Sequence, residues 1–444
     1  MSRLPLTRYT EAGDDLVPNF DLTISGRDAG KSTQLFEAVR PLIASVTYEE
    51  DEEMAGMFTL QVINQPEITY GSPDNWRAVV DSKAFQEGNA IDLYMGYGGV
   101  QQYMGRTEIV KWLPVFEEDG PTIFTIKAYD GRHRMMEGNQ HKVRQSGKDR
   151  KRKSFYKNLP DELIVKKIAE KYGYGVDYDA TESKKHSKTG AGGSKKAAFP
   201  TRVQNSDTSD WVFLQRLAEI NRFDLWVSWS TGKNQWIINF KKRQDAGQAE
   251  YLFTYNGNDG SLISAQPDFS ITDQPTDVEV LHFDRRKRTI ERSIISDITP
   301  AEDVKLTSAS PGNFQAKKTI GLGARVRFSA FGQVIEAFSN KPFRSKAEAE
   351  TFAQHFLKER ERDFLVMTGK VVGIETLRPR QVHQLAGLGA RLDGFYRFTK
   401  TRHVMQPGNL YQVEFMAHKI LSQEIARRKA TTTVQTTSTP QAAG

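Results

Sequence analysis

The sequence lacks cysteine altogether, and this absence removes several kinds of chemistry at once. Without cysteine there is no disulfide framework, no thiolate nucleophile and no cysteine-based zinc site. Long hydrophobic runs are missing too, since no segment approaches the ~18 apolar residues of a membrane span and the N-terminus lacks the apolar core of a secretory signal. We therefore expect a chain that folds in the cytosol and is stabilised by packing or oligomerisation.

Motifs for nucleotide or metal chemistry are also missing. The stretch TISGRDAGKST at 23–33 has only three residues between Gly26 and Gly30, whereas a phosphate-binding loop has four, and Pro41 would interrupt the helix that such a loop opens. We interpret it as a polar loop between strands. None of the eight histidines stands in an HExxH or similar metal-ligand spacing. The sequence thus predicts no cofactor and no metal site.

Catalytic carboxylates are not evident either. The acidic run EEDEEM at 49–54 is interpreted as a solvated turn, because a glycosidase pair needs one carboxyl group with a raised pKa in an apolar pocket. There is no Gly-x-Ser-x-Gly elbow. We predict no catalytic residue and no enzyme; a peptidoglycan hydrolase would need a carboxylate pair that the sequence does not reveal.

One short segment carries the net charge. Residues 142–157 contain eight basic residues and one acid, a net charge of +7, which equals the net charge of the whole chain. Such a run is typical of a solvated loop. The alternative is an electrostatic contact with nucleic acid or another acidic partner. Its candidate residues are Lys148, Arg150, Lys151, Arg152 and Lys153.

The composition, with 38% hydrophobic residues in 444, supports about three folded domains. Five short segments of alternating polarity, FDLTI, MFTLQVI, AIDLYMGY, TEIVKWL and IFTIKAY, predict an all-β region over 1–131. A mixed α/β region over 132–230 follows, with helices expected near 160–172 and 208–221, a hairpin formed by FDLWVSW and QWIINF, and an exposed loop over 182–198. We interpret 231–313 as linking and edge β segments.

The C-terminal region is predicted to be a second β domain over 314–425 with one helix at 346–362, where Ser345 and Glu348 form a capping box. The tail over 426–444 is rich in Thr, Ser, Pro and Ala and is expected to be disordered. Strands from 235–275 are candidates to complete the first β domain.

An internal repeat links the two β regions. At a constant offset of 289 residues, identical residues coincide at several positions and the apolar positions stay in phase. The identical pairs include Gly98 with Gly387, Gly105 with Gly394, Lys111 with Lys400, and Ala128 with Ala417. Because a slip of one residue would turn every side chain to the opposite face, this agreement favours a duplicated β unit.

Three stretches resemble the baseplate hub proteins of contractile-tailed phages, the late control D family, which is also similar to the base of type VI secretion spikes. They are FYKNLPDELIVKKIAEKYG, VQNSDTSDWVFLQRLAEINRFDLWV, and the segment from GKVVGIETLRPRQ to LYQVEFMAHK. The resemblance runs from about residue 15 to 425. One departure is Arg380, which stands after LRP where the family commonly has glycine.

The resemblance implies two tail-tube-like β-barrels that flank a mixed α/β region, with helix 346–362 covering the second barrel. It also implies a homotrimer that acts as a symmetry adaptor between a sixfold tail tube and a threefold, separate spike protein. Tape-measure and baseplate wedge proteins are further implied partners, and the implied location is the virion baseplate after assembly in the host cytoplasm. The alternatives are the hub of a phage-derived injection particle and a nucleic-acid-binding protein using 142–157.

Overall fold

The computed structural model describes residues 17–26, 39–64, 83–98, 100–116, 122–137, 154–181, 186–189, 195–199, 201–205, 207–243, 249–256, 260–284, 288–296, 327, 329–343, 346–406 and 410–420. Over these residues the chain is mainly β, with a large antiparallel sheet, as the sequence predicts. None of the described helices is long and apolar enough to cross a membrane. The tail over 426–444 lies outside the described residues.

The described part of the first β region contains six strands. They are β1 (Pro18–Ser25), β2 (Ile43–Asp51), β3 (Met57–Asn64), β4 (Ala90–Tyr97), β5 (Val100–Val115) and β6 (Thr122–Tyr129). Alternation places one face of each strand in the core, so that Phe20, Leu22 and Ile24 of β1 are buried. The sequence predicted five of these strands and missed β2.

The middle region is mixed α/β. Its elements are α1 (His133–Met136), β7 (Ser154–Tyr156), α2 (Asp161–Tyr172), β8 (Gly175–Tyr178), β9 (His186–Thr189), β10 (Lys195–Ala198), β11 (Arg202–Gln204), α3 (Asp210–Asn221), β12 (Phe223–Ser230) and β13 (Gln235–Lys242). Both predicted helices are confirmed. Gly173 ends α2 with a left-handed φ of 70°, and the Ser209 hydroxyl caps α3 by accepting from the Val212 amide at 3.2 Å.

Strands β12 and β13 form the predicted hairpin, and β8 adds beside β13. Both helices pack into one core with these strands, around the fully buried Ile164, Leu214 and Ile238. The expectation of a loop over 182–198 is wrong, because β9 and β10 pair antiparallel inside it. A two-stranded backbone ladder can form there without the apolar residues that the prediction looked for.

The described part of the last region supplies the remaining strands and a helix of 17 residues. They are β14 (Leu252–Thr254), β15 (Leu262–Phe269), β16 (Asp277–Asp284), β17 (Thr289–Ser296), β18 (Ile335–Phe343), α4 (Lys346–Arg362), β19 (Leu365–Val372), β20 (Val382–Ala386), β21 (Gly394–Gln406) and β22 (Leu410–Lys419). The helix predicted at 346–362 is confirmed, whereas Ser345 of its capping box lies outside the described residues.

Helix α4 packs against a separate three-stranded sheet in the order β17-β16-β18. Ala349, Ala353 and Leu357 of the helix are buried against Val278 and Val280 of β16. The expectation that this helix covers the second barrel is therefore wrong. Its apolar stripe meets β16 and β17, from the region that the sequence suggested only as linking and edge segments, and β18, which was predicted as part of the second β domain.

One twelve-stranded sheet contains both β regions. Its N-terminal half has the strand order β1-β4-β5-β6-β3-β2, and its C-terminal half has the order β14-β20-β21-β22-β19-β15. The prediction that strands from 235–275 complete the first β domain is wrong for β14 and β15, which pair with β20 and β19 of the C-terminal half. A single core of buried side chains runs under both halves.

Strand pairing confirms the internal repeat. Ile109 pairs with Ala128 between β5 and β6, and Phe398 pairs with Ala417 between β21 and β22, with a register shift at the next residue in each case. These positions differ by the offset of 289 residues. Gly105 and Gly394 also match, with φ of 156° and 148°. A Cβ on Gly105 would stand 2.5 Å from the Tyr48 hydroxyl oxygen, so the glycine is required there.

The repeat extends beyond the part that the sequence reveals. Strands β2 and β3 carry a register shift between Ile43 and Ser45, and β15 and β19 carry one between Leu262 and Ser264. The two halves therefore share strand order and two irregularities of register. They differ in the first strand of each half, since β1 pairs antiparallel with β4 whereas β14 pairs parallel with β20.

Candidate functional site: the junction of the two sheet halves

The two sheet halves are joined by antiparallel pairing of β2 with β21, from Val46 opposite Met405 to Asp51 opposite Lys400. This pairing contains most of the acidic run. The interpretation of residues 49–54 as a solvated turn is therefore wrong for Glu49, Glu50 and Asp51, which are strand residues. The carboxylates of Glu49 and Asp51 are tolerated in the sheet because β21 places Arg402 and Lys400 opposite them, and the Glu50 carboxylate contacts Arg378 at 3.1 Å.

One face of this junction carries a strip of alternating charges, the charged strip. Lys400 Nζ lies 2.6 Å from a Glu49 carboxylate oxygen, and Arg402 Nε lies 3.7 Å from the other one. Glu414 of β22 accepts from Arg402 at 2.9 Å and contacts Lys370 of β19 at 2.9 Å. Burial opposes ionisation of Glu414, but the bonds from Lys370 and Arg402 prevail and lower its pKa. The strip thus ties four neighbouring strands together across the junction.

A second set of charges lies at the end of β2, largely buried. Glu52 contacts Arg397 at 2.9 Å and Arg362 at 3.2 Å, and Arg397 also donates to Asp224 at 2.8 Å. Arg243 donates to Asp224 at 3.1 Å and to Glu359 of α4 at 2.8 Å. These six residues form the ion cluster, with three positive and three negative groups. It joins the N-terminal half, the C-terminal half, the middle region and α4 at one point.

Two groups of the ion cluster, Glu52 and Arg397, have pKa values shifted toward the charged form despite burial. For Glu52, burial raises the pKa, but the guanidinium groups of Arg397 and Arg362 outweigh it and hold the pKa below its usual value. For Arg397, burial opposes the charge, and Glu52 and Asp224 raise its pKa instead. A carboxyl group with a lowered pKa is unsuited to act as a general acid near neutral pH. The cluster is a structural joint rather than an acid–base pair.

Arg380 stands after LRP, at the position where the sequence departs from the glycine of the resembled family. Its φ of 74° is the left-handed conformation that glycine favours, so the turn keeps the glycine-like geometry. The Arg380 amide donates to the Phe398 carbonyl at 2.7 Å, and its guanidinium stacks over the Trp226 ring at 4.7 Å. This cation–π contact offsets part of the backbone strain and adds another link between the C-terminal half and the middle region.

The middle region also docks directly on the N-terminal half. The Arg106 guanidinium of β5 lies 4.1 Å from the centre of the Trp229 ring, and Gln215 of α3 donates to the Glu53 carbonyl at 3.0 Å. Arg134 makes a two-pronged contact with Glu108 at 2.6 and 2.8 Å. The region is therefore held against both halves by charged and aromatic contacts.

The structure does not test the electrostatic site that the sequence suggests. Lys148 and Arg150–Lys153 lie outside the described residues, as does most of 23–33. Among the residues that the structure describes, no three His, Asp or Glu side chains are grouped to hold a metal ion. A groove of about 360 Å³ beside the junction is lined largely by polar side chains, including Ser45, Thr47, Gln61, Arg402 and Gln406. The residues that matter most, those of the ion cluster, were missed because their partners are far apart in the chain.

The sequence matches no family model and no curated protein. Among solved structures, the chain is similar to the 43 kDa tail protein of prophage MuSo2 from Shewanella oneidensis, with 11% identity, 85% of this chain and 94% of that chain covered, and a TM-score of 0.57. It is also similar to the tail protein from Neisseria meningitidis MC58, with 8% identity, 90% and 97% covered, and a TM-score of 0.56. The likeness to phage tail proteins predicted from the sequence is confirmed at the level of the fold.

Proposed function

We propose that this chain is a structural baseplate hub of a contractile phage tail, and that three copies form a ring between a sixfold tail tube and a threefold spike. The observation that carries the proposal is the duplication: two sheet halves share strand order and register irregularities, and are joined through β2 and β21. Three such chains present six similar modules around one axis. The fold shared with two phage tail proteins supports the assignment to a tail.

The parts that occur once per chain explain how such a ring keeps threefold character. Among the residues that the structure describes, the middle region and the unit built by α4 with β16, β17 and β18 have no counterpart in the other half. A ring of three chains therefore has approximate sixfold symmetry where the sheet halves lie, and threefold symmetry where these unique parts lie. We assign the tail tube protein to the sixfold surface and the spike protein to the threefold surface, with tape-measure and wedge proteins as further partners.

In this proposal the chain acts by holding its parts in a fixed geometry and catalyses no reaction. The ion cluster holds both halves, the middle region and α4 in one fixed arrangement, because Glu52, Arg397 and Asp224 belong to three different regions. Rigid spacing of the two modules inside one chain is what a match to adjacent tube subunits requires. The proposed location is the virion baseplate, after assembly in the host cytoplasm.

A reconstruction of purified tails tests this function. We expect three copies of the chain at the end of the tube, with the sheet halves alternating around the axis and contacting six tube subunits. Absence of the chain from the tail end, or one or six copies per tail, would contradict the proposal. Labelling the chain at an exposed residue such as Val100, which is 71% exposed, identifies the copies in the reconstruction.

A further inference from the structure

Two strand edges of the sheet, one in each half, lack a described partner along apolar residues; the terminal strands β1 and β14 also have one described neighbour each. Strand β15 is the last strand of its path and pairs only with β19 among the described residues. Strand β5 pairs with β4 up to Glu108, and its continuation from Lys111 to Val115 pairs, within the described part of the chain, only with β6. Side chains along both edges are unusually apolar for exposed positions. Leu113 and Val115 of β5, and Ile263 and Phe269 of β15, are 37 to 46% exposed.

The repeat relates these two edges to the junction inside the chain. In the C-terminal half, β21 continues past Phe398 and pairs with β2 over Lys400 to Met405. The matching residues of the N-terminal half are Lys111 to Phe116 of β5, by the offset of 289 residues. The backbone hydrogen bonds of β5 and β21 also correspond just before these residues. Ile109 exchanges backbone bonds with Gly88 and Asn89, as Phe398 does with Arg380 and Gln381.

The other partner of the junction is also repeated. β2 corresponds to β15, because both carry the matched register shift and pair in the same way with β3 and β19. Inside one chain, the edge of β2 meets the edge of β21. The edge of β15 is the counterpart of the β2 edge, and the edge of β5 is the counterpart of the β21 edge. These two counterparts lie too far apart in the sheet order to meet within the chain.

We propose that β15 of one copy pairs antiparallel with residues 111–115 of β5 in the next copy, and so repeats the β2–β21 junction between chains. This inference rests on the proposed ring and names the strands that close it. The equivalent register places Asp268 opposite Leu113 and Phe269 opposite Trp112. The occupant of each edge is therefore a second copy of this chain.

Two prolines set the character of this contact. Pro267 and Pro114 stand opposite each other in the proposed register, where Tyr48 and His403 pair within the chain. Proline has no amide to donate, so this pair lacks backbone bonds that the internal junction has. Proline on an exposed edge also discourages pairing with unrelated strands. The contact between copies thus depends more on apolar side chains and less on backbone bonds than the charged junction inside the chain.

Because the chain has no cysteine, engineered cysteines report this contact without background. Paired residues in an antiparallel ladder have Cα atoms within the range that a disulfide bridges. The variant with Leu113→Cys and Asp268→Cys is oxidised and run on a non-reducing gel, with native mass measured in parallel. We expect covalent dimers and trimers, with trimers as the limit. The matched control combines Asp268→Cys with Val100→Cys, an exposed residue at the other end of β5, and should give at least tenfold less product.

Mixing the single variants Leu113→Cys and Asp268→Cys tests the strand assignment further, because each protein then carries only one cysteine of the pair. We expect dimers between unlike chains and no larger product. If the native mass is that of a trimer and the double variant does not cross-link above the control, the strand assignment is overturned while the proposed function survives. If the native mass is that of a monomer, both fail. A ladder that continues beyond three chains would contradict a closed ring.

Discussion

Replacing Arg397 with methionine perturbs the ion cluster at its centre. The Arg397 side chain is 4% exposed and lies 2.9 Å from Glu52 and 2.8 Å from Asp224. Its removal leaves three carboxylates with two arginines. Breaking a buried ion pair typically costs about 3–5 kcal/mol. Since Glu52 keeps Arg362 at 3.2 Å and Asp224 keeps Arg243 at 3.1 Å, we expect about 3 kcal/mol, the lower end of that range.

The assay is equilibrium unfolding in urea at fixed protein concentration, followed by tryptophan fluorescence. The matched control is Arg402→Met, an arginine of the same strand in the charged strip. Its side chain is 43% exposed, so we expect a loss below about 1 kcal/mol. The double variant Arg397→Met with Glu52→Gln restores the balance of charges and should recover about half of the loss. If both arginine variants cost the same, the ion cluster is not the joint that we describe.

The pH dependence of the same variant gives a second reading. In the natural chain the pKa of Glu52 is lowered, so its contribution to stability is present above the ordinary pKa and is lost as pH falls below it. Without Arg397 the balance shifts toward burial, which favours the protonated carboxyl group. The destabilisation by Arg397→Met should therefore be smaller at pH 4 than at pH 7. An equal penalty at both pH values would refute the reasoning.

Three further predictions concern single residues. Arg380→Ala should destabilise the chain more than Arg380→Gly, by about 1 kcal/mol in urea unfolding, because both lose the stacking on Trp226 but only glycine relieves the positive φ. Burial lowers the pKa of His383 to about 3, so the unfolded state binds a proton before the folded state does as pH falls below about 6.5. This difference accounts for a loss of about 3 kcal/mol of stability between pH 7 and pH 4. The variant His383→Phe should not show that part of the loss. Gly105→Ala should cost about 2–4 kcal/mol in thermal unfolding, because its Cβ would meet the Tyr48 hydroxyl group; a neutral effect would mean that this contact relaxes freely.

Much of the fold follows from local patterns in the sequence. Alternation predicted β3, β4 and β6, and helical spacing predicted α2 and α3, because the apolar face of each element is visible in its own residues. The repeat was visible for the same reason. It is confirmed in the register of β5 with β6 and of β21 with β22.

The candidate site was less predictable because its partners are remote in the chain. The carboxylates of β2 look like a solvated turn until β21, about 350 residues later, supplies Lys400 and Arg402. In the same way, Asp224 and Arg397 become an ion pair only when the middle region docks on the C-terminal half. β15 was assigned to the wrong half because either half offers a similar edge, and its sequence does not distinguish them.

The native mass of the purified chain tests the central claim most directly. One chain has a mass of 50.3 kDa, so a ring of three has a mass of about 151 kDa. We predict this species at micromolar concentration, alone or as the unit that binds the tube protein. A stable 50.3 kDa monomer that does not associate, or a closed assembly of two, four or six chains, would contradict the account.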